Sequence, residues 1–199
     1  MAEIFKLPKV YFDSKISVEK AIFSRRSVRK YSEEALTLEE ISRILFFSQG
    51  ITQNEFLRAA PSAGATYPLE IYLIVGKVEN LNSGLYHYIP EKHEIEKIFS
   101  GDVREKLADA ALGQDFIAKA PASIIFTAIY ERTTQRYGKR GIRYVHMEVG
   151  SASENVHLEC ESLGLGTVIV GAFYDEEVAR LLNLNDEIPL CIMPIGRKI

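Results

Sequence analysis

Four cations and two serine hydroxyls fall within eight residues, Ser24-Arg25-Arg26-Ser27-Val28-Arg29-Lys30-Tyr31. Guanidinium forks grip phosphate oxygens in pairs, and serine adds a short donor, so the segment is suited to hold a phosphate. The same octapeptide also reads as a solvated basic turn. A second stretch, Pro61-Ser62-Ala63-Gly64-Ala65-Thr66-Tyr67-Pro68, carries small side chains that let backbone N–H groups approach a flat ligand, or simply make a turn. A third, Gly164 to Phe173, has glycine before and within a strand pattern, a mark of close approach by a ligand or another backbone. The fourth is the basic ending Pro194-Ile195-Gly196-Arg197-Lys198.

Several other chemistries are excluded by spacing. No GxxxxGK[ST] occurs, and Gly164-Leu165-Gly166 lacks the third glycine of a dinucleotide fingerprint and follows a helix pattern. His87, His93, His146 and His157 form no HExxH, and His146 and His157 stand about three helical turns apart, so no metal site is expected. Ser24, Ser27 and Ser62 lie in no nucleophile elbow. Cys160 and Cys191 read as small buried hydrophobes in a reducing compartment.

These segments need a scaffold, and the pattern supplies one. Ser17 is placed to cap a helix over 18–25, and Thr37-Leu38-Glu39-Glu40 is a capping-box signature opening a helix that Gly50 ends. Strands are predicted over 70–75, 84–89, 94–99, 122–128, 167–170 and 190–195. Helices are predicted over 102–112, 115–119 and 175–182, with the longest over 141–163 and Gly164 as its stop. Ala122 to Ala128 is apolar at nearly every position and reads as a buried central strand. Long helices around strands in separated groups predict an α+β layered domain. Its sheet should be small, mixed or antiparallel, and flanked by helices.

At 199 residues, 47% hydrophobic and 26% charged, the chain reads as a single globular domain, with residues 1–15 as an extended arm. A balance of 24 Lys+Arg against 27 Asp+Glu argues against a dedicated nucleic-acid binder, though not against a local basic patch. The N-terminus has no signal pattern and the longest apolar runs are too short to cross a bilayer, so a cytoplasmic location without membrane contact is expected.

Taken in order, SRRSVRKY at Ser24, PSAGATYPLEIY at Pro61, GLYHY at Gly84, RYGKRGIRY at Arg136, ECESLGLGT at Glu159 and PIGR at Pro194 resemble the nitroreductase family of flavoproteins. Within it they are similar to the SagB-type dehydrogenases, or azoline-oxidase-like proteins. The resemblance spans Val18 to Arg197. It implies a homodimer with two FMN molecules at the subunit interface. Arg25, Arg26 and Ser27 would then hold the phosphate and ribityl end, Arg29 would lie near the pyrimidine edge, and Ser62, Ala63 and Gly64 would come from the partner subunit. Gln114 would contact the ring through its amide, Val170 and Gly171 would face the N5 region, and Arg197 would assist at the phosphate. Many nitroreductases carry Asn and Gln where this chain has Ala65 and Tyr67, and Arg197 and Lys198 stand in for the longer basic tail of some relatives.

The implied activity is ping-pong hydride transfer from NAD(P)H through the flavin to a small organic acceptor. FMN chemistry requires no protein nucleophile or general base for that half-reaction, so no catalytic residue is assigned. The alternatives are a SagB-like dehydrogenase that oxidises an azoline-type substrate with FMN as acceptor, and a flavin-binding module without turnover.

Overall fold

The computed structural model describes residues 3–54 and 56–199; Met1 and Ala2 of the expected arm lie outside the described residues. A seven-stranded sheet forms the centre, in the order β1 (Glu3–Lys6), β6 (Glu94–Ser100), β5 (Gly84–Ile89), β4 (Leu69–Val75), β7 (Ala122–Ala128), β9 (Ile188–Arg197) and β8 (Leu165–Thr167). Every pairing in it is antiparallel. The middle strand β7 is buried along its whole length, as its apolar pattern on both faces demands.

Side chains alternate across β4 and so feed two cores. Leu69, Ile71, Leu73 and Val75 join Ile41, Ile44 and Leu45 of α2 (Leu38–Gln49) and Val145, Ala152, Val156 and Cys160 of α6 (Arg140–Ser162). On the opposite face, Tyr72 and Ile74 join Leu107 of α3 (Arg104–Ala110), Ile117 of α4 (Asp115–Lys119), and Val178 and Leu182 of α7 (Asp175–Leu182). The result is an α+β layered fold.

Local signals set the helix starts. Ser17 caps α1 (Val18–Ser24), its hydroxyl accepting from the Lys20 N–H at 3.2 Å. Thr37 and Glu40 close both halves of the capping box at 3.1 and 2.8 Å.

The structure departs from the sequence expectations in four places. The arm contains β1, which adds to β6 and packs Phe5 edge-on against Tyr86 at 5.8 Å. The stretch 51–68, whose small residues read as a loop, holds a short hairpin, β2 (Ile51–Gln53) and β3 (Leu57–Arg58), and a 3₁₀ turn. A helix α5 (Glu131–Tyr137) precedes α6; its ERTTQRY sequence has no apolar stripe to announce it. The strand expected over 167–170 is β8, ending at Thr167, with Val170 alone bridging back to Ile192.

Candidate functional site

The basic segment after α1 is stitched to the edge of the sheet. Val28 N–H donates to the Thr167 carbonyl at 2.9 Å, Ser27 bridges Thr167, and Ser32 N–H donates to the Arg197 carbonyl at 3.0 Å. The Tyr31 hydroxyl donates to Val28 O at 2.6 Å and lies 3.2 Å from Pro194 O; burial pushes this phenol up. Two glycines make the approach possible. A Cβ on Gly166 would stand 2.7 Å from the Val28 side chain, and one on Gly196 would meet Pro121 at 2.8 Å and Tyr31 at 2.9 Å.

With its backbone fixed, the segment presents its cations outward. Arg26 and Arg29 are exposed. Arg25 closes α1 and faces Glu154 of α6 at 3.9 Å. Beside it His157 is buried. That burial lowers its pKa to about 4, with the Arg25 charge adding to the effect and Glu161 partly offsetting it.

Arg29 lies over the Phe116 ring of α4 at 5.9 Å. Gln114, just before α4, donates its amide N–H groups to Ala111 O at 2.8 Å and Ala172 O at 3.0 Å. Val170 exchanges both backbone hydrogen bonds with Ile192 at 2.9 Å. Gly171 is exposed, with no atom within 4 Å of where its Cβ would stand. Arg29, Gln114, Val170 and Gly171, far apart in sequence, are therefore gathered past the end of β8, and the chain carries them directly into Ser27, Arg26 and Arg25.

Ser62, Ala63 and Gly64 belong to a different region, packed against α5 and α6. Gly64, Ala65 and Tyr67 are left-handed (φ 62°, 52° and 43°), a strained conformation for the two that carry a Cβ. The surroundings over-determine this turn. Tyr67 N–H donates to Ser62 Oγ at 2.9 Å, Ala65 N–H to Ser62 O at 3.1 Å, Arg132 to Tyr67 O at 3.0 Å and Arg136 to Gly64 O at 3.1 Å. The Arg58 guanidinium stacks on the Tyr67 ring at 4.7 Å. Behind the turn, Glu148 of α6 is buried and accepts from Gln49 Nε2 at 3.2 Å. Burial raises its pKa to about 6 against the opposing pull of Ser62, Gln49 and Arg58. Glu148 and Glu154, beside which the two regions sit, are about 9 Å apart along the helix axis.

Arg197, the expected helper at a phosphate, lies between Glu34 at 3.1 Å and Glu40 at 3.0 Å, so its charge is already answered by the cap of α2. Lys198 pairs with Glu161 at 2.5 Å.

Spacing gave no sign of Glu148, Gln49 or Arg132. Arg136 lay in the RYGKRGIRY segment without a role. A groove of about 550 Å³ lined by Phe12, Val18, Phe47 and Leu158 among others contains none of the expected site residues. Among the described residues, no group of three or more His, Cys, Asp or Glu could hold a metal ion, and no helix is long and apolar enough to cross a membrane.

Comparison with known proteins gives the site a context. The chain is 54% identical over 184 residues to MJ1384 of Methanocaldococcus jannaschii, named as a candidate nitroreductase, and covers 92% of each protein. It is 28% identical over 146 residues to the microcin B17-processing protein McbC of Escherichia coli, which covers 70% of this chain but only 54% of McbC. Its fold superposes with a TM-score of 0.86 on a crystal structure from Ralstonia eutropha, also named as a candidate nitroreductase, at 28% identity over 98% of this chain and 90% of that one. The nitroreductase family profile matches residues 22–197. The chain is a member of the nitroreductase family.

Proposed function

We propose that this nitroreductase-family oxidoreductase binds FMN and passes a hydride from NAD(P)H to a small organic acceptor. The observation that carries the reading is the convergence of Arg25, Arg26, Ser27, Arg29, Gln114, Val170 and Gly171 on one edge of the sheet. The residues fit the group. Arg25 and Arg26 offer guanidinium donors to a phosphate, and Ser27 adds a hydroxyl beside them. The open space at Gly171 leaves room for a flat ring against its backbone. The Arg29 charge near the pyrimidine edge would favour the reduced, anionic ring. Bound FMN supplies a two-electron acceptor and donor at N5.

A homodimer completes the proposal. Phe12, Val18 and Phe23 are 79%, 65% and 72% exposed on and before α1, beside Arg25, and a second copy would cover them. The Ser62–Gly64 turn, tied to Arg136 with Gly64 exposed, would then be offered to the partner's flavin.

Purified protein should absorb as an oxidised flavin, release FMN on denaturation, and bleach when NAD(P)H is added without oxygen. Colourless protein that takes up no FMN overturns the proposal. A second reading, substrate oxidation with FMN as acceptor, is favoured by the similarity to McbC. It predicts that the flavin bleaches with a thiazoline- or oxazoline-bearing peptide and not with NAD(P)H.

A further inference from the structure

The start of α6 carries a basic surface that neither the 62–67 turn nor the Arg25 segment uses. Residues 132–146 hold five Lys and Arg and no Asp or Glu, in a chain whose net charge is −3. Arg132 is occupied by Glu70 at 2.6 Å, and Arg136 by the carbonyl of Gly64 at 3.1 Å. Lys139, Arg140 and Arg143 are exposed, and they make no ion pair and no side-chain hydrogen bond among the described residues. With Ile142 and His146 they line an open concavity of about 660 Å³ that no carboxylate enters. His146 is already bonded through Nε2 to the Tyr130 hydroxyl at 2.6 Å, so the three free cations set the charge of the concavity.

These charges cost stability where they stand. Lys139 and Arg143 are four residues apart and Arg140 and Arg143 three, spacings at which like charges repel along a helix. Cations in a first turn also oppose the helix dipole, and α6 has neither an acidic residue in that turn nor a side-chain cap to offset them. An anion in the concavity reverses both effects, with guanidinium and ammonium groups as the donors. We propose that Lys139, Arg140 and Arg143 form a binding surface for the phosphates of the nicotinamide dinucleotide, which rests on the hydride donor proposed above. Position selects this anion. A Cβ on Gly64 would meet the Tyr137 hydroxyl at 2.5 Å and Arg136 at 2.7 Å, so α5 joins the turn proposed to face flavin to the basic surface. Lys139 follows Tyr137 by two residues, at most about 7 Å of chain. In the dinucleotide a single ribose separates the nicotinamide ring from the diphosphate. A ring laid on the flavin beside the turn therefore carries its phosphates toward the concavity.

The test combines Arg140→Gln with Arg143→Gln. Both side chains are exposed, so without ligand the double variant should unfold no more readily than the unmodified protein. A clear fall in its urea midpoint would make the cations structural and overturn the proposal. ADP is the first probe, since it carries the diphosphate without nicotinamide and needs no flavin. By calorimetry at low salt it should bind the unmodified protein, and the variant about tenfold more weakly, the scale of one charge-assisted hydrogen bond. Adenosine should bind neither. Absent ADP binding, or equal affinity in the two proteins, overturns the proposal, and capture by duplex DNA or phosphatidylglycerol vesicles would then name the other use of the surface. The second probe is anaerobic bleaching of the flavin. Bleaching by subsaturating NADPH, relative to bleaching by the phosphate-free donor N-benzyl-dihydronicotinamide, should fall about tenfold in the variant. An unchanged ratio overturns the proposal. Protein that binds ADP through the cluster but carries no flavin removes the flavin reading alone and leaves the phosphate surface standing.

Discussion

The Arg25–Tyr31 segment and the Ser62–Tyr67 turn are the two regions proposed to meet one flavin, and the fold holds them by opposite means. The first is sewn to the sheet by backbone: Val28 to Thr167, Ser32 to Arg197, with Gly166 and Gly196 cleared to admit Val28 and Tyr31. The second has no ladder. Side chains from α5 and its own Ser62 hold three left-handed residues in place. Backbone pairing to a buried strand breaks only with the fold, whereas side-chain anchors can be loosened one at a time. The phosphate end should therefore be a fixed point, and the turn the adjustable half of the site.

The largest effect expected from this contrast is on stability. Gly166→Val forces a branched side chain into the place of Val28, where even a Cβ stands at 2.7 Å. Overpacking of that kind costs about 1–3 kcal/mol and occasionally more, and urea unfolding should fall by at least that range's middle. A fall below about 0.5 kcal/mol would mean the segment yields as easily as a loop.

Next comes Arg25→Ala, which should weaken FMN by about 1.5–3 kcal/mol, the scale of a charge-assisted hydrogen bond, and leave riboflavin nearly unaffected. Equal losses for both ligands would move Arg25 away from the phosphate.

On the adjustable side, Glu148→Gln should stabilise the protein as pH rises. A folded-state pKa of about 6 against an ordinary 4.5 means that the folded state holds the proton more tightly. The associated stability is present in full below pH 4.5 and is lost as pH rises through 6, a difference of about 2 kcal/mol. The variant should accordingly gain up to about 2 kcal/mol over the unmodified protein at pH 8 and almost nothing at pH 4. A constant difference across that range would contradict the linkage.

The smallest effect is electronic. Arg29→Gln keeps donors but removes charge, and should lower the two-electron potential of bound FMN by tens of millivolts, about 30 mV corresponding to 1.4 kcal/mol. Loss of oxidised-FMN affinity with an unchanged potential would make Arg29 another phosphate cation.

What the sequence announced and what it concealed divide along the same line. Caps, turn glycines and apolar runs act locally, so α1, the capping box of α2, α4, β7 and α7 were legible within a residue or two. β1 was not, because its pairing with β6 joins residues some ninety positions apart. Helix α5 lacked an amphipathic stripe. Within the Gly164–Phe173 stretch Gly166 did mark close approach, whereas Gly196 does so in a segment read only as a basic ending. At Gly166 and Gly196 the visitors are Val28 and Tyr31 of the chain itself. Arg197 read as a spare cation because Glu34 and Glu40, which flank it, lie more than 150 residues away. Glu148 and Gln49 looked like ordinary polar positions on amphipathic helices; only packing shows them to be buried together.

The central claim, that the two regions complete one flavin site across two copies of the chain, is tested most directly by mixing two defective variants. One carries Arg25→Ala with Arg26→Ala. The other carries Gly64→Val, whose side chain would collide with Tyr137 and Arg136 at a left-handed position. Each alone should bind little FMN. Co-expressed, half the dimers pair one of each, and each such dimer regains one intact site, so FMN capacity should return to about one quarter of the unmodified level. No recovery on mixing would mean that both regions serve a site within a single chain, and would contradict the account.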